Sequence, residues 1–237
     1  MTPRTKEQNE EIRLRRLAQI RRAAADVFLN KGPLLEIRDV ATQAGLGYGT
    51  VYHYYSNKGD LLHDLLWDAL ERASGWLELL RALASEKAPT DGHFGSTLNS
   101  GNSTDTDSRS RSHEKADGAD LGPTATAVRL LQLWAEDHAL YLLYKLAMEG
   151  FTSLPEARST ALSAAFHREV IVPFATLLEA GSAVDGAATS NGNAAELLYR
   201  LQRAEMLLAA LVGCASLSLR RGKLHEEARD IVLFLKL

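Results

Sequence analysis

Four of the chain's seven tyrosines lie between Tyr48 and Tyr55, inside the stretch GLGYGTVYHYYSNKGDLL. A phenol offers a flat apolar face to a thymine methyl or a sugar, and a hydroxyl that can bond a phosphate. Gly47 and Gly49 share the segment. Each costs a helix about 1 kcal/mol relative to alanine, so their presence wants a reason. Close approach of the backbone to a duplex is one. Lys58 adds a cation at the edge of the same segment. Enzyme chemistry finds less support. The seven histidines (53, 63, 93, 113, 138, 167 and 225) are scattered, with no His-x-x-x-His or Cys-x-x-Cys ligand pair. His63 and Asp64 are adjacent, which on a helix points them apart. Glu136-Asp137-His138 reads as a solvated helix end, and Cys214, in the apolar run ALVGCASL, as a packing residue. The glycine-rich stretches follow no strand, so no phosphate loop, catalytic residue, metal site or cofactor is expected.

The elements that must hold these tyrosines are helices. From Ile12 to Phe28 the residues Leu17, Ile20, Ala24, Val27 and Phe28 recur at three and four. Lys31-Gly32-Pro33 ends that helix. A short helix puts Ile37, Val40, Ala41 and Ala44 on one face, and Gly45 breaks it. A second short helix holds Val51 and Tyr55 inward, leaving too little inner face for Tyr48, Tyr52 and Tyr54. Asn57 caps a long helix with Asp60 three residues on, continuing through Leu61, Leu65, Leu70 and Leu77 to about residue 85. Two short helices joined by a glycine turn suggest a helix-turn-helix, whose second helix enters the major groove.

Residues 88–123 are rich in Gly, Ser, Thr, Asp and Asn and are expected to be a disordered loop. Helical pattern is expected from Thr124 through Gly150. After a break at 151–155 it resumes from 156 to 180, with Pro173 able to kink it. A polar loop covers 181–193, and two last helices span 194–221 and 224–236. No internal repeat is present.

Composition sets the bounds. The 237 residues are 46% hydrophobic and 24% charged, ordinary for a globular chain. One cysteine rules out an internal disulfide framework and agrees with a reducing cytoplasm. No apolar run approaches the ~20 residues of a spanning helix, nor does the basic N-terminus lead into a signal-peptide core. Residues 1–62 hold ten Lys/Arg against seven Asp/Glu, while the whole chain carries −3. A basic first quarter on an acidic body suggests a module that meets an anion.

The segment IRDVATQAGLGYGTVYHYYSNKGDL, preceded by AAADVFLNKG, resembles the tetracycline-repressor (TetR) family of regulators. The resembling positions are Phe28, Gly32, Val40, Ala41, Ala44, Gly45, Leu46, Gly49, Thr50, Tyr52, Tyr55, Lys58 and Leu61, within about residues 16–66. Leu35 and Glu36 stand where the family often caps its second helix with Thr or Ser. Gly47 stands for a common capping Ser, and Tyr54 for a common His. The resemblance implies DNA contacts from Thr50, Tyr52, Tyr54 and Lys58, specificity from Tyr48 and His53, and backbone approach at Arg38 and Gly49.

It also implies an all-α architecture. A three-helix DNA-binding domain at 12–66 would be joined by a long helix to a helical-bundle domain at 67–237 for effector binding and dimerisation. The implied activity is a cytoplasmic, non-enzymatic repressor that binds a palindromic DNA operator as a homodimer and answers to a small molecule. Aromatic and polar candidates for the effector pocket are Trp67, Trp134, His138, Tyr141, Tyr144 and Phe166. Dimerisation would use the last two helices. Their Leu197, Leu201, Met206, Leu207, Leu208, Leu211, Val212, Leu217, Leu233 and Phe234 read singly as core. An enzyme, or a helical scaffold with a vestigial helix-turn-helix, is the competing reading. The cations Arg21, Arg22, Arg38 and Lys58 speak against the second.

Overall fold

The computed structural model describes residues 5–86, 122–180 and 194–237. The expected loops at 88–123 and 181–193 lie, but for residues 122–123, outside them. All regular structure among the described residues is helical. In chain order the helices are α1 (Lys6–Lys31), α2 (Ile37–Ala44), α3 (Tyr48–Tyr54), α4 (Lys58–Glu86), α5 (Pro123–Glu136), α6 (His138–Met148), α7 (Glu156–Phe166), α8 (Val172–Ala180), α9 (Ala194–Arg220) and α10 (Leu224–Phe234). A 3₁₀ turn, Gly32–Leu34, follows α1.

Helix α1 begins at Lys6, not at Ile12 as the apolar period suggests. Thr5 Oγ1 accepts from the Gln8 N–H at 3.3 Å, and Gln8 Oε1 accepts from the Thr5 N–H at 3.1 Å. This reciprocal cap needs no apolar residue. The expected run from 124 to 150 is two helices. Asp137 breaks it, because its carboxylate accepts from the N–H groups of Ala139 and Leu140 at 3.0 and 3.2 Å and starts α6. Between α7 and α8 lies a π turn, His167–Ile171. Pro173 lacks an N–H and its ring crowds the preceding turn. The widened turn just before it accommodates both defects.

The second half of α1, the two short helices α2 and α3, and the start of α4 form a head around Ile20, Ala24, Phe28, Val40, Val51, Leu61 and Leu65, all buried. The remaining helices form the body, with α4 and α6 packed together, α5 against α10, and α8 and α10 each against α9. Helix α1 lies between head and body, touching α2 and α4 as well as α6. Glu156–Leu178 is long and apolar enough by composition to cross a membrane, contrary to the sequence reading. Its Leu162, Phe166, Val170, Ile171 and Phe174 are buried against protein.

Candidate nucleic-acid interface

The glycine turn is built as the sequence suggests. Gly45 takes φ 64°, ψ 32°, and its N–H bonds the Thr42 carbonyl at 3.1 Å. That left-handed cap favours glycine. Glu36 does hold the start of α2, since its N–H donates to Asp39 Oδ2 at 3.2 Å. Gly47 begins α3 in extended conformation without a side-chain cap.

Helix α3 divides its residues cleanly. Val51 and, just after the helix, Tyr55 are buried. Tyr48, Gly49, Thr50, Tyr52 and His53 are exposed. The Tyr48 and Tyr52 rings stack with centroids 5.7 Å apart and half their surface open. Tyr54 is half-buried, edge-on to His53, and packs against the core rather than with that pair. A methyl group added at Gly49 would meet nothing within 4 Å, and at Gly47 only Thr50 Oγ1 at 3.7 Å. Internal packing therefore gives no reason for either glycine.

Arg38, Tyr48 and Lys58 line one notch of about 340 Å³ with Leu35, Glu36 and Ile37. Lys58 Nζ donates to the Pro33 carbonyl at 2.8 Å, so it is held at the rim. Asn57 caps α4 as expected, accepting from the Asp60 N–H at 2.9 Å. Asp60 in turn receives Arg158 of α7 at 2.7 Å, tying the start of α4 to the body. The Arg158 bond, burial notwithstanding, holds the Asp60 carboxyl below its ordinary range.

Arg21 does not face outward as a DNA cation. It donates to Asp64 and Asp68 of α4 and is largely buried. Arg22 lies with it, in a cleft between α1 and the α5–α6 turn. These two cations belong to the joint between head and body. The sequence offered no signal for that, because the acids that meet Arg21 lie more than forty residues away.

The body residues considered for an effector fall into three places. Trp134, Tyr141, Tyr144 and Phe166 form one buried aromatic cluster, with ring centroids 5.0–5.8 Å apart. Trp134 Nε1 has no hydrogen-bond partner there. Trp67 Nε1 instead donates to His63 Nε2 at 2.9 Å. His138 Nδ1 sits 2.6 Å from Asp26 Oδ1 of α1. His138 and Tyr141 line a cleft of about 590 Å³ between head and body, with Asn30, Gln43, Lys145 and Arg220. Among the described residues no group of three His, Cys, Asp or Glu is placed to hold a metal.

Residues 20–65 match the family of bacterial regulatory proteins, tetR family. No curated protein matches the chain. The fold is similar to that of the fatty acid degradation regulator FadR from Bacillus halodurans, at 15% identity and TM-score 0.54, covering 92% of this chain and 93% of that one. It is similar also to FadR from Bacillus subtilis, solved in complex with stearoyl-CoA, at 16% identity and TM-score 0.50, with 92% and 96% covered. A tetR-family regulatory protein from Rhodococcus RHA1 resembles it at 15% identity and TM-score 0.50, with 92% of each chain covered. The matched segment holds the helix-turn-helix of the head, so residues 20–65 are similar to the tetR family of bacterial regulatory proteins and the chain as a whole shares the helical fold of these neighbours.

Proposed function

We propose that this chain is a ligand-responsive cytoplasmic repressor that reads a palindromic operator in double-stranded DNA as a homodimer. Residues 12–66 act as the DNA-binding domain, and 67–237 as the effector-binding and dimerisation domain. The observation that carries the reading is the outer face of α3. Tyr48, Gly49, Thr50, Tyr52 and His53 face solvent together, with Arg38 and Lys58 at the rim. Tyr48, Tyr52 and His53 meet base edges and sugars. Arg38, Thr50 and Lys58 hold phosphates, Gly49 lets the backbone close in, and Tyr54 braces the helix from behind.

Support for the dimer comes from the last two helices. Leu197, Leu198, Tyr199, Met206, Leu217, Leu233 and Phe234 are each more than half exposed. So much apolar surface on one pair of helices calls for a partner, and the best partner for a DNA-binding unit of this size is its own copy. Two recognition helices on a twofold axis then read half-sites about one helical turn apart, roughly 34–36 Å.

The effector is a small molecule held by the body, and the cleft beside His138 and Tyr141 is a place where it would touch head and body at once. A ligand favouring one head separation shifts the population toward that state. Stearoyl-CoA, bound in the Bacillus subtilis neighbour, is the first compound to test. The experiment is selection of duplexes from a random library, followed by mobility shift with and without the compound. Selected palindromes that the wild type binds support the reading. A chain that enriches no sequence contradicts it.

A further inference from the structure

Helix α1 reaches well beyond the head it serves. The family match begins at residue 20, yet the helix begins at Lys6. At 1.5 Å per residue the extra piece is an arm of about 20 Å. None of residues 6–19 is buried. Gln19 Nε2 donates to the Ala44 carbonyl at 2.6 Å, so the arm leaves the head beside the turn that precedes α3.

The arm has two faces. Stepping back from buried Ile20 by the helix period of three and four gives Arg16, Arg13, Asn9 and Lys6. That row continues the stripe of Ile20, Ala23, Ala24 and Val27, which α2 covers further along. Glu7, Glu10 and Glu11 lie off it. Beyond the turn the row is uncovered and basic. Arg16 bonds only the neutral Gln19 amide at 2.9 Å, and Arg13 holds Glu10 across an exposed pair that is easily exchanged.

We propose that this face is a second contact with DNA, made by Lys6, Arg13 and Arg16 to the phosphate backbone flanking the half-site that α3 reads. The inference rests on the DNA-binding reading of α3 and adds a separate footprint to it. The bond from Gln19 to Ala44 puts the root of the row beside the turn that leads into α3, where the flank of a duplex seated on α3 would pass. Three long cations spaced along an arm fit a line of phosphates, which carries one negative charge per ~1.7 Å of duplex axis. The contact reads no bases. It adds affinity and salt dependence on both flanks of the palindrome.

The test uses the full chain and a palindromic duplex chosen from a random library. Trimming the duplex outside its half-sites should weaken wild-type binding, while the Lys6→Ala, Arg13→Ala, Arg16→Ala variant should be indifferent to the trimming. The same variant should lose roughly 2–3 units from the slope of log K against log salt, at about 0.9 per phosphate released. Equal wild-type affinity for long and trimmed duplexes overturns the proposal without any variant, even if the variant folds poorly. Lys58→Ala separates the two readings, because it should weaken long and trimmed duplexes alike. A wild type that binds no selected duplex overturns both.

Discussion

Arg21 and Asp64 are joined by two parallel hydrogen bonds, Nε to Oδ2 at 2.8 Å and Nη2 to Oδ1 at 3.0 Å. The hydroxyl of Tyr55 donates to the same carboxylate. One side chain of α4 thus fixes both α1 and the end of α3. The seating of α3 in the head is set by a clasp on its inner side, away from exposed Tyr48 and Tyr52.

Breaking the clasp should loosen the head before it disturbs the body. Burial pushes the Asp64 carboxyl up, but the bonds from Arg21 and Tyr55 outweigh it and hold it below the ordinary aspartate value. A depressed carboxylate contributes stability above its unfolded value, about 3.9, and loses it as pH falls through the folded value. Burial and the bond to Asp64 push the Tyr55 hydroxyl up. Its contribution is present below about pH 10 and lost as pH rises beyond. Arg21→Ala should cost about 1–2 kcal/mol, the lower range for charged hydrogen bonds because Asp64 keeps 38% exposure. Chemical denaturation at pH 7 checks the cost. The gap between wild type and Asp64→Asn should close below about pH 4.

Trp134 is a core residue first. Its side chain is fully buried against Tyr141 and Tyr144. Trp134→Ala should destabilise the chain by about 3–5 kcal/mol. Trp134→Phe should cost far less, because it also removes an unpartnered N–H whose burial costs about 1–3 kcal/mol. Calorimetry on both variants measures the difference. If the effector accepts a hydrogen bond from that N–H, the Phe variant alone loses the response while remaining folded.

The sequence reads the apolar residues of the last helices singly as core, and the structure divides them. Leu208, Leu211 and Val212 are buried, whereas Met206, Leu217, Leu233 and Phe234 stand out. Met206→Glu combined with Leu217→Glu should therefore yield a folded monomer in sedimentation with weakened operator binding. Leu211→Glu should unfold the body instead, since it places a charge in the core. Circular dichroism distinguishes the two outcomes.

Lys58 is held at the notch by the Pro33 carbonyl and has to exchange that bond to reach a phosphate. Lys58→Ala should weaken binding about uniformly across sequences and lower the salt slope by about 0.9. An unchanged slope in a folded variant removes Lys58 from the interface.

Apolar spacing made the helical fold and the split face of α3 legible, because Val51 and Tyr55 recur at four and leave no inner room for Tyr48 and Tyr52. It failed where structure rests on polar groups. The arm of α1 has no apolar period, and only the Thr5–Gln8 pair signals its start. Asp137 breaks a run whose hydrophobic phase continues from Trp134 into Leu140. Arg21 looks like any other cation until α4 folds beside it. Leu211 and Leu217 are the same residue type in a string of letters. Only packing tells which one meets the core and which stays exposed.

The central claim is that the outer face of α3 reads DNA, and operator binding by Tyr48→Ala and Tyr52→Ala variants tests it most directly. Selection with the wild type supplies the duplex, and quantitative mobility shift compares the variants at matched salt and confirmed folding. The account predicts a palindrome with half-sites about one helical turn apart. It also predicts at least a tenfold loss of specific affinity for each variant, corresponding to about 1.4 kcal/mol, while non-specific binding changes little. Variants that bind the selected palindrome as tightly as the wild type would contradict it.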